Sequence, residues 1–281
     1  MQRRALFESW AACAAFAVFF GWGCDDGSAA TSAGGSSASS GTHGSTNATS
    51  SHASSATGSG SSTSSGVSSA PHVGAHGLSY YGYGANSLAS IDSPSLTTKS
   101  GSTLLVASGR GALAAAAPPT DNLGNAPFAP IGTPHAYTMW PSSGTDLHAF
   151  VGATGGPGHV VTTANQPGDE ITLAVVEVEN GTKIQDAQWV ERLQGQPITS
   201  ASVTTTGPAT LVAFWWGDAD VGGDKVATPD NGFVVLDSIG DAGALVQCFV
   251  AAREVAAAGT YDVTWTATPD QGAQLWLVAV Q

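Results

Sequence analysis

Three carboxylates, Asp218, Asp220 and Asp224, fall within the run Gly217-Asp-Ala-Asp-Val-Gly-Gly-Asp224. Hard oxygens grouped around a glycine-permitted turn are what Ca²⁺ takes as ligands. The spacing departs from the EF-hand loop, because Gly222 stands where a further oxygen ligand belongs and no glutamate closes the run. A possible Ca²⁺ site and a solvated acidic loop are the two readings. His148 and His159, with Asp146, have the residue types of a metal site. A hairpin centred near Gly155 would pair His148 with Thr162 or Thr163 and set His159 opposite Val151. That separates the two rings by roughly 10 Å, too far to share one ion. Glu177 and Glu179 share one face of a strand, and paired carboxylates serve glycoside hydrolysis. The same pair, just before Asn180-Gly181, also suits a solvent-facing strand end. Trp215 and Trp216 point to opposite faces of a regular strand. One belongs to the core, and the other is either a second core residue or a platform for a sugar ring. Val212 and Phe214 share a face with Trp216, which favours two buried faces. Trp140 and Trp189 leave the same choice open.

Motifs with a built-in mechanism are missing. There is no G-x-S-x-G, H-E-x-x-H, Walker loop, G-x-G-x-x-G or C-x-x-C. The expectation is a protein that is not an enzyme. Its rival is a secreted glycan-active enzyme using Glu177 or the Asp218–Asp224 loop.

These residues need a scaffold, and the texture of the chain names one. From about residue 95 onward, short apolar runs rich in Val, Thr, Trp and Tyr are broken by Gly, Pro, Asn and Asp every 8 to 15 residues. The predicted strands are 103–108, 136–140, 147–151, 159–164, 170–179, 187–193, 200–205, 209–216, 232–237, 245–250, 259–268 and 274–280. Leu275, Leu277 and Ala279 alternate with Trp276, Val278 and Val280, so this strand is apolar on both faces and is placed in the middle of a sheet. The nearest approach to a helical period, Ala251–Ala258, stops at Gly259. No internal repeat stands out. The expected fold is all-β, an antiparallel two-sheet sandwich of jelly-roll type over residues 76–281. Residues 71–87 fit either an edge strand or linker.

The segment before that domain is of another kind. Arg3 and Arg4 precede the uncharged apolar run Ala11–Phe20, which matches a signal-peptide core and is too short to cross a bilayer as a helix. Gly21-Trp-Gly-Cys24 follows, and the whole of residues 1–24 resembles a bacterial lipoprotein signal, with Cys24 as the lipidated residue. An ordinary secretory leader is the alternative. No Asp, Glu, Lys or Arg occurs between Asp26 and Asp92. Residues 25–75, mostly Ser, Gly, Thr and Ala, have no apolar face to bury, so they are expected to be a disordered tether. Such a coil of about 45 residues spans roughly 35–40 Å. With Cys13 in the leader and Cys24 lipidated, Cys248 is left without a disulfide partner and reads as a buried structural thiol.

Eighteen Asp and Glu against six Lys and Arg from residue 76 onward exclude nucleic acid as a partner, since phosphate binding needs clustered cations. Asp121-Asn-Leu-Gly-Asn125, the aromatic Tyr137 and Ile171-Thr-Leu-Ala-Val-Val-Glu177 resemble a β-sandwich module of bacterial and phage surface proteins carrying a D-x-x-G-N turn. The likeness covers residues 96–219 and implies surface display or adhesion. Together these features predict a cell-envelope lipoprotein, held to a membrane by a lipid anchor, periplasmic or surface-exposed. Its module would bind a glycan or cell-wall polymer or serve structurally. A calcium-dependent carbohydrate-binding module is the alternative.

Overall fold

Strands whose two faces are both apolar need cover on both sides, and that requirement organises this molecule. The computed structural model describes residues 69–84, 88–218, 223–241, 243–244, 246–266, 268 and 272–281. The leader, Cys24 and most of the predicted tether lie outside them. Nine strands of six or more residues are present: β1 (His72–Tyr81), β2 (Thr103–Arg110), β3 (Gly144–Val151), β4 (Ile171–Glu179), β5 (Ile184–Arg192), β6 (Ala209–Asp218), β7 (Val234–Ile239), β8 (Val246–Val255) and β9 (Ala273–Val280). The described residues contain no α-helix, only a 3₁₀ turn at Leu113–Ala115.

Two antiparallel sheets form the centre, ordered β1-β4-β2-β3 and β5-β9-β6-β8-β7. They face one another across a core in which Leu105, Leu147, Val176 and Val178 meet Phe214, Trp216, Val250 and Trp276. The far face of the first sheet carries Leu104, Val106, Leu173 and Val175 beneath Ile91, Phe128 and Val161. The far face of the second carries Leu211, Trp215, Leu275 and Leu277 beneath Ile198, Val263 and Trp265. Short strands make these outer covers. Ser90–Asp92, Val161–Ala164 and Thr120–Asp121 form one, with Leu96–Thr97 paired to Pro157–His159 beside it. Ile198–Thr199, Thr264–Thr266 and Thr228–Pro229 form the other, with Val203–Thr205 paired to Gly259–Tyr261. β9 therefore lies between β5 and β6, as its two apolar faces demand.

The two halves follow the same path. In each, the first long strand pairs with the last, the last with the second, and the second with the next-to-last (β2 with β3, β6 with β8), while the short strands pair in corresponding order. The molecule is thus two jelly rolls in tandem, packed sheet to sheet. The expectation of no internal repeat is corrected, and the repeat is also present in the sequence. Residues 91–107 align without a gap on 198–214, with seven of the seventeen positions identical, among them Ser93 and Ser200, Thr98 and Thr205, and Leu104 and Leu211. Residues 161–179 align on 263–281 in the same way, joining Val161 to Val263, Leu173 to Leu275 and Val178 to Val280.

Two other expectations change. Residues 136–140 are not a strand; only His135–Ala136 is extended, and hydrogen bonds from Trp140 N to Tyr137 O (3.1 Å) and Ser143 N to Trp140 O (2.8 Å) close a loop after it. β3 does not form a hairpin with the 157–164 strands, because a jelly-roll path sends them to the outer cover. The absence of a helix over Ala251–Ala258 holds: the run is the end of strand β8 and the turn that follows.

Candidate functional site

Asp146 and His148, two apart on β3, point away from the central core into the first jelly roll. Asp146 is almost wholly buried and meets Arg110 across the sheet, with Nε 2.9 Å from Oδ2. Ser108 donates to the same oxygen at 2.8 Å, and His148 Nδ1 stands 3.3 Å from Oδ1. Arg110 also donates to Ala164 O at 2.8 Å, to Ser108 Oγ at 2.5 Å and to Thr163 Oγ1 at 3.3 Å. Burial by itself would raise the Asp146 carboxyl. His148, Arg110 and Ser108 outweigh that and hold it below the ordinary carboxylate range.

The second jelly roll fills the same layer without charge. Ser108 opposite Asp146 becomes Trp215 opposite Phe249, and Val106 opposite His148 becomes Ala213 opposite Ala251. Thr163, paired with Ile91, becomes Trp265, paired with Ile198. Trp215 and Phe249 meet edge to face at 5.4 Å. A jelly roll of this size therefore stands without an arginine, an aspartate and a histidine inside it. Burying ions costs desolvation that apolar packing avoids.

The polar cluster borders a cleft of about 40 Å³ at one end of the seam between the halves. Arg110, Tyr137, Thr145, Glu170, Trp216 and Gln274 are among its walls. Thr145 Oγ1 donates to Gln274 Oε1 at 2.7 Å and accepts from Trp276 Nε1 at 2.9 Å. Trp216 Nε1 donates to Thr172 Oγ1 at 2.9 Å. Gly109 is required here, since a Cβ would lie 2.4 Å from the Trp216 ring.

Trp215 and Trp216 do lie on opposite faces, and both are buried, Trp215 in the second jelly roll and Trp216 in the central core. The sugar-platform reading of either is corrected: both faces of β6 are covered, so neither ring is open to solvent. Of the acidic loop, Asp220 and the Asp218 side chain lie outside the described residues, and Asp224 is exposed. At its base Lys225 is buried and donates to Gly223 O at 2.7 Å. Among the described residues, no group of three His, Cys, Asp or Glu side chains is arranged to hold a metal.

Glu177 and Glu179 are drawn apart in role. Glu177 is fully buried and accepts from Ala75 N (2.9 Å), Lys99 N (2.6 Å) and Ser102 Oγ (2.7 Å). Glu179 is paired with Lys99 and with His72 at 3.0 Å, and the Lys99 contact above all lowers its carboxyl below the usual range. His148 and His159 belong to different networks. His159 Nδ1 lies 2.7 Å from Thr98 Oγ1, and its Nε2 lies 2.8 Å from Asp121 Oδ2.

Hydroxyl, imidazole and carboxylate in line are the parts of a nucleophilic relay. Their surroundings make them a tie instead. Asp121 Oδ1 also accepts from Leu123 N (3.1 Å) and Asn125 N (2.8 Å), and Asn125 bonds both backbone groups of Thr154. Gly124 supplies the positive φ of 84° that this turn needs. The D-x-x-G-N sequence thus fastens two loops through one carboxylate. In the second half Thr205 and Tyr261, the counterparts of Thr98 and His159, both donate to Ala257 O, at 3.2 and 2.9 Å. Cys248 is buried and unpaired, and desolvation, with the Asp237 charge, pushes its thiol well above the usual range.

No protein-family model matches the chain, and no curated protein or solved structure matches it significantly.

Proposed function

We propose that this chain is an exported cell-envelope lipoprotein, anchored through lipid on Cys24, whose double jelly roll is displayed as a binding module and performs no reaction. Arg3 and Arg4, the apolar run to Phe20 and the cysteine after Gly23 support the export and the anchor. The uncharged Gly27–Ala70 segment has the composition of a spacer. The likeness of Asp121–Asn125 and Ile171–Glu177 to a surface-protein module points the same way.

One observation carries the choice of binding over catalysis. Glu177 ties three donors, His159 and Asp121 fasten two loops, and Asp146 is closed in by Arg110, Ser108 and His148, so these reactive side chains are engaged in holding the fold. A group that reacts needs a free face toward substrate.

The test is retention of the full chain on insoluble chitin, cellulose and purified peptidoglycan. The reading expects saturable retention on at least one of them and no turnover of it. Release of soluble sugar from a retaining polymer would replace the binding module with an enzyme, and no retention on any would remove the binding role.

A further inference from the structure

A sheet ends in rows of backbone N–H and C=O groups that need partners or water, and natural folds guard such edges. Three of the four edges of the central sheets are guarded here. β3 is closed by Ala129–Pro130 and His135–Ala136. On β5, Asp186 accepts from Thr204 N at 2.8 Å, and Arg192 Nε donates to Thr199 O at 2.8 Å. On β1, Val73 N donates to Glu254 at 3.3 Å and Ala75 N to Glu177 at 2.9 Å. The fourth edge, β7, hydrogen-bonds through its backbone to β8 alone; among the described residues its outward groups have no partner.

The internal repeat shows that this opening is particular to the second half. Leu105 pairs with Ala149, and its counterpart Val212 pairs with Ala252. Ala129, opposite Ala149, therefore corresponds to Val234, opposite Ala252. At that place the first half has a two-residue strand ending in Pro130, whose nitrogen cannot donate. The second half has six residues without proline, an edge of about 20 Å. Its side chains include Val234 and Val235, 66% and 39% exposed.

The strand is held ready. His76 Nδ1 lies 2.7 Å from Asp237 Oδ2 and ties β7 to β1. Gln247 Nε2 donates to Gly240 O at 3.1 Å and to Asp241 O at 2.9 Å, which fixes the strand's end. Lys225 N donates to Gly240 O at 2.6 Å, so the exposed Asp224 and Asp241 flank that end.

Charge selects the occupant. Asp218, Asp220, Asp224, Asp230, Asp237 and Asp241 lie within one stretch whose only Lys or Arg is the buried Lys225. Such a field attracts Lys and Arg. A second copy of this chain brings the same acidic excess. The bulge between Val235 and Asp237 also twists the edge away from flat pairing with another rigid sheet, whereas a flexible segment can follow it.

We infer that β7 is a docking edge for an extended basic peptide segment of a partner protein. The segment adds as the sixth strand of the second sheet, with apolar side chains on Val234 and Val235 and Lys or Arg toward Asp224 and Asp241. This goes beyond the polymer binding proposed above and does not depend on it. The experiment titrates the full chain with capped eight-residue peptides of alternating Val and Lys, or of alternating Val and Glu. The Val-Lys peptide binds saturably and the Val-Glu peptide at least tenfold more weakly. Val234→Lys weakens Val-Lys binding at least tenfold at an unchanged unfolding midpoint. Asp241→Asn, which keeps an acceptor for Gly243 N, weakens it at least threefold. Val151→Lys, the same charge placed on an exposed residue of β3, binds as the parent does. No saturable Val-Lys binding, equal binding of the Val-Glu peptide, or full binding by both Val234→Lys and Asp241→Asn would overturn the inference. A dimer in sedimentation that Val234→Lys dissociates would also overturn it, giving the edge to a second copy.

Discussion

Ser93 and Ser200 hold the same place in the two jelly rolls and make the same bonds. Ser93 N donates to Val161 O at 2.8 Å, and Val161 N donates back to Ser93 Oγ at 3.0 Å. Ser200 N donates to Val263 O at 3.0 Å, and Val263 N donates to Ser200 Oγ at 3.2 Å. Each serine joins the start of an outer cover to its middle strand.

Alanine at either serine leaves a buried amide without its acceptor, which costs about 1–3 kcal/mol. Urea unfolding of Ser93→Ala and Ser200→Ala is expected to give matching losses in that range, additive in the double variant. A loss from one and none from the other would break the equivalence of the halves.

Arg110 and Asp146 are expected to behave as a pair that the fold tolerates rather than needs. Asp146→Leu leaves a buried guanidinium uncompensated and costs about 3–5 kcal/mol. Arg110→Met with Asp146→Leu copies the apolar solution of the second half and regains most of that loss. Should the double variant be as unstable as Asp146→Leu, measured by urea unfolding, the cluster would be a structural necessity.

The same carboxyl sets an acid limit. Its folded-state value is depressed, so its stabilisation is complete above the ordinary aspartate value of about 4 and is lost as pH falls through the lower folded value. Asp121, held low against its burial by Asn125 and His159, acts in the same direction. Stability measured from pH 5 downward should fall less steeply in Asp146→Asn than in the parent, from a lower starting value. Equal slopes would contradict the depressed carboxyl.

His135 gives a second pH window. Its ring stacks on Trp189 at 3.8 Å with planes 3° apart, and burial lowers its pKa. Protonation therefore opposes folding, and stability is lost as pH falls from about 6.5 through the lower folded value. His135→Phe keeps the stack and should flatten the stability profile in that interval. An unchanged profile would show that other groups set it.

For the acidic loop, the unfolding midpoint of the full chain is expected to be the same with and without millimolar Ca²⁺, since Lys225 already brings a cation to its base. A midpoint that rises with Ca²⁺ concentration would place the ion in the folded state.

Much of this scaffold can be read from local pattern. The two apolar faces of Ala273–Val280 locate the middle of a sheet, and the alternation around Trp215 and Trp216 puts them on opposite faces. The repeat is harder to see because it is concentrated in residues 91–107 and 161–179, while the loops between diverge in length. The offset between matched residues is 107 in the first segment and 102 in the second. The polar cluster is half visible. Asp146 and His148 stand out by type and spacing, but Arg110 and Ser108 reach them across a strand pairing that no local pattern predicts. The hairpin expected near Gly155 fails for the same reason, since a jelly-roll path separates neighbours in sequence.

Export and lipid attachment at Cys24 are read by mass spectrometry of the protein purified from cell membranes. A mature N-terminal peptide beginning at Cys24 and carrying diacylglycerol is expected. An unmodified peptide beginning near Asp25 or Ala30, recovered from the soluble fraction, would contradict it.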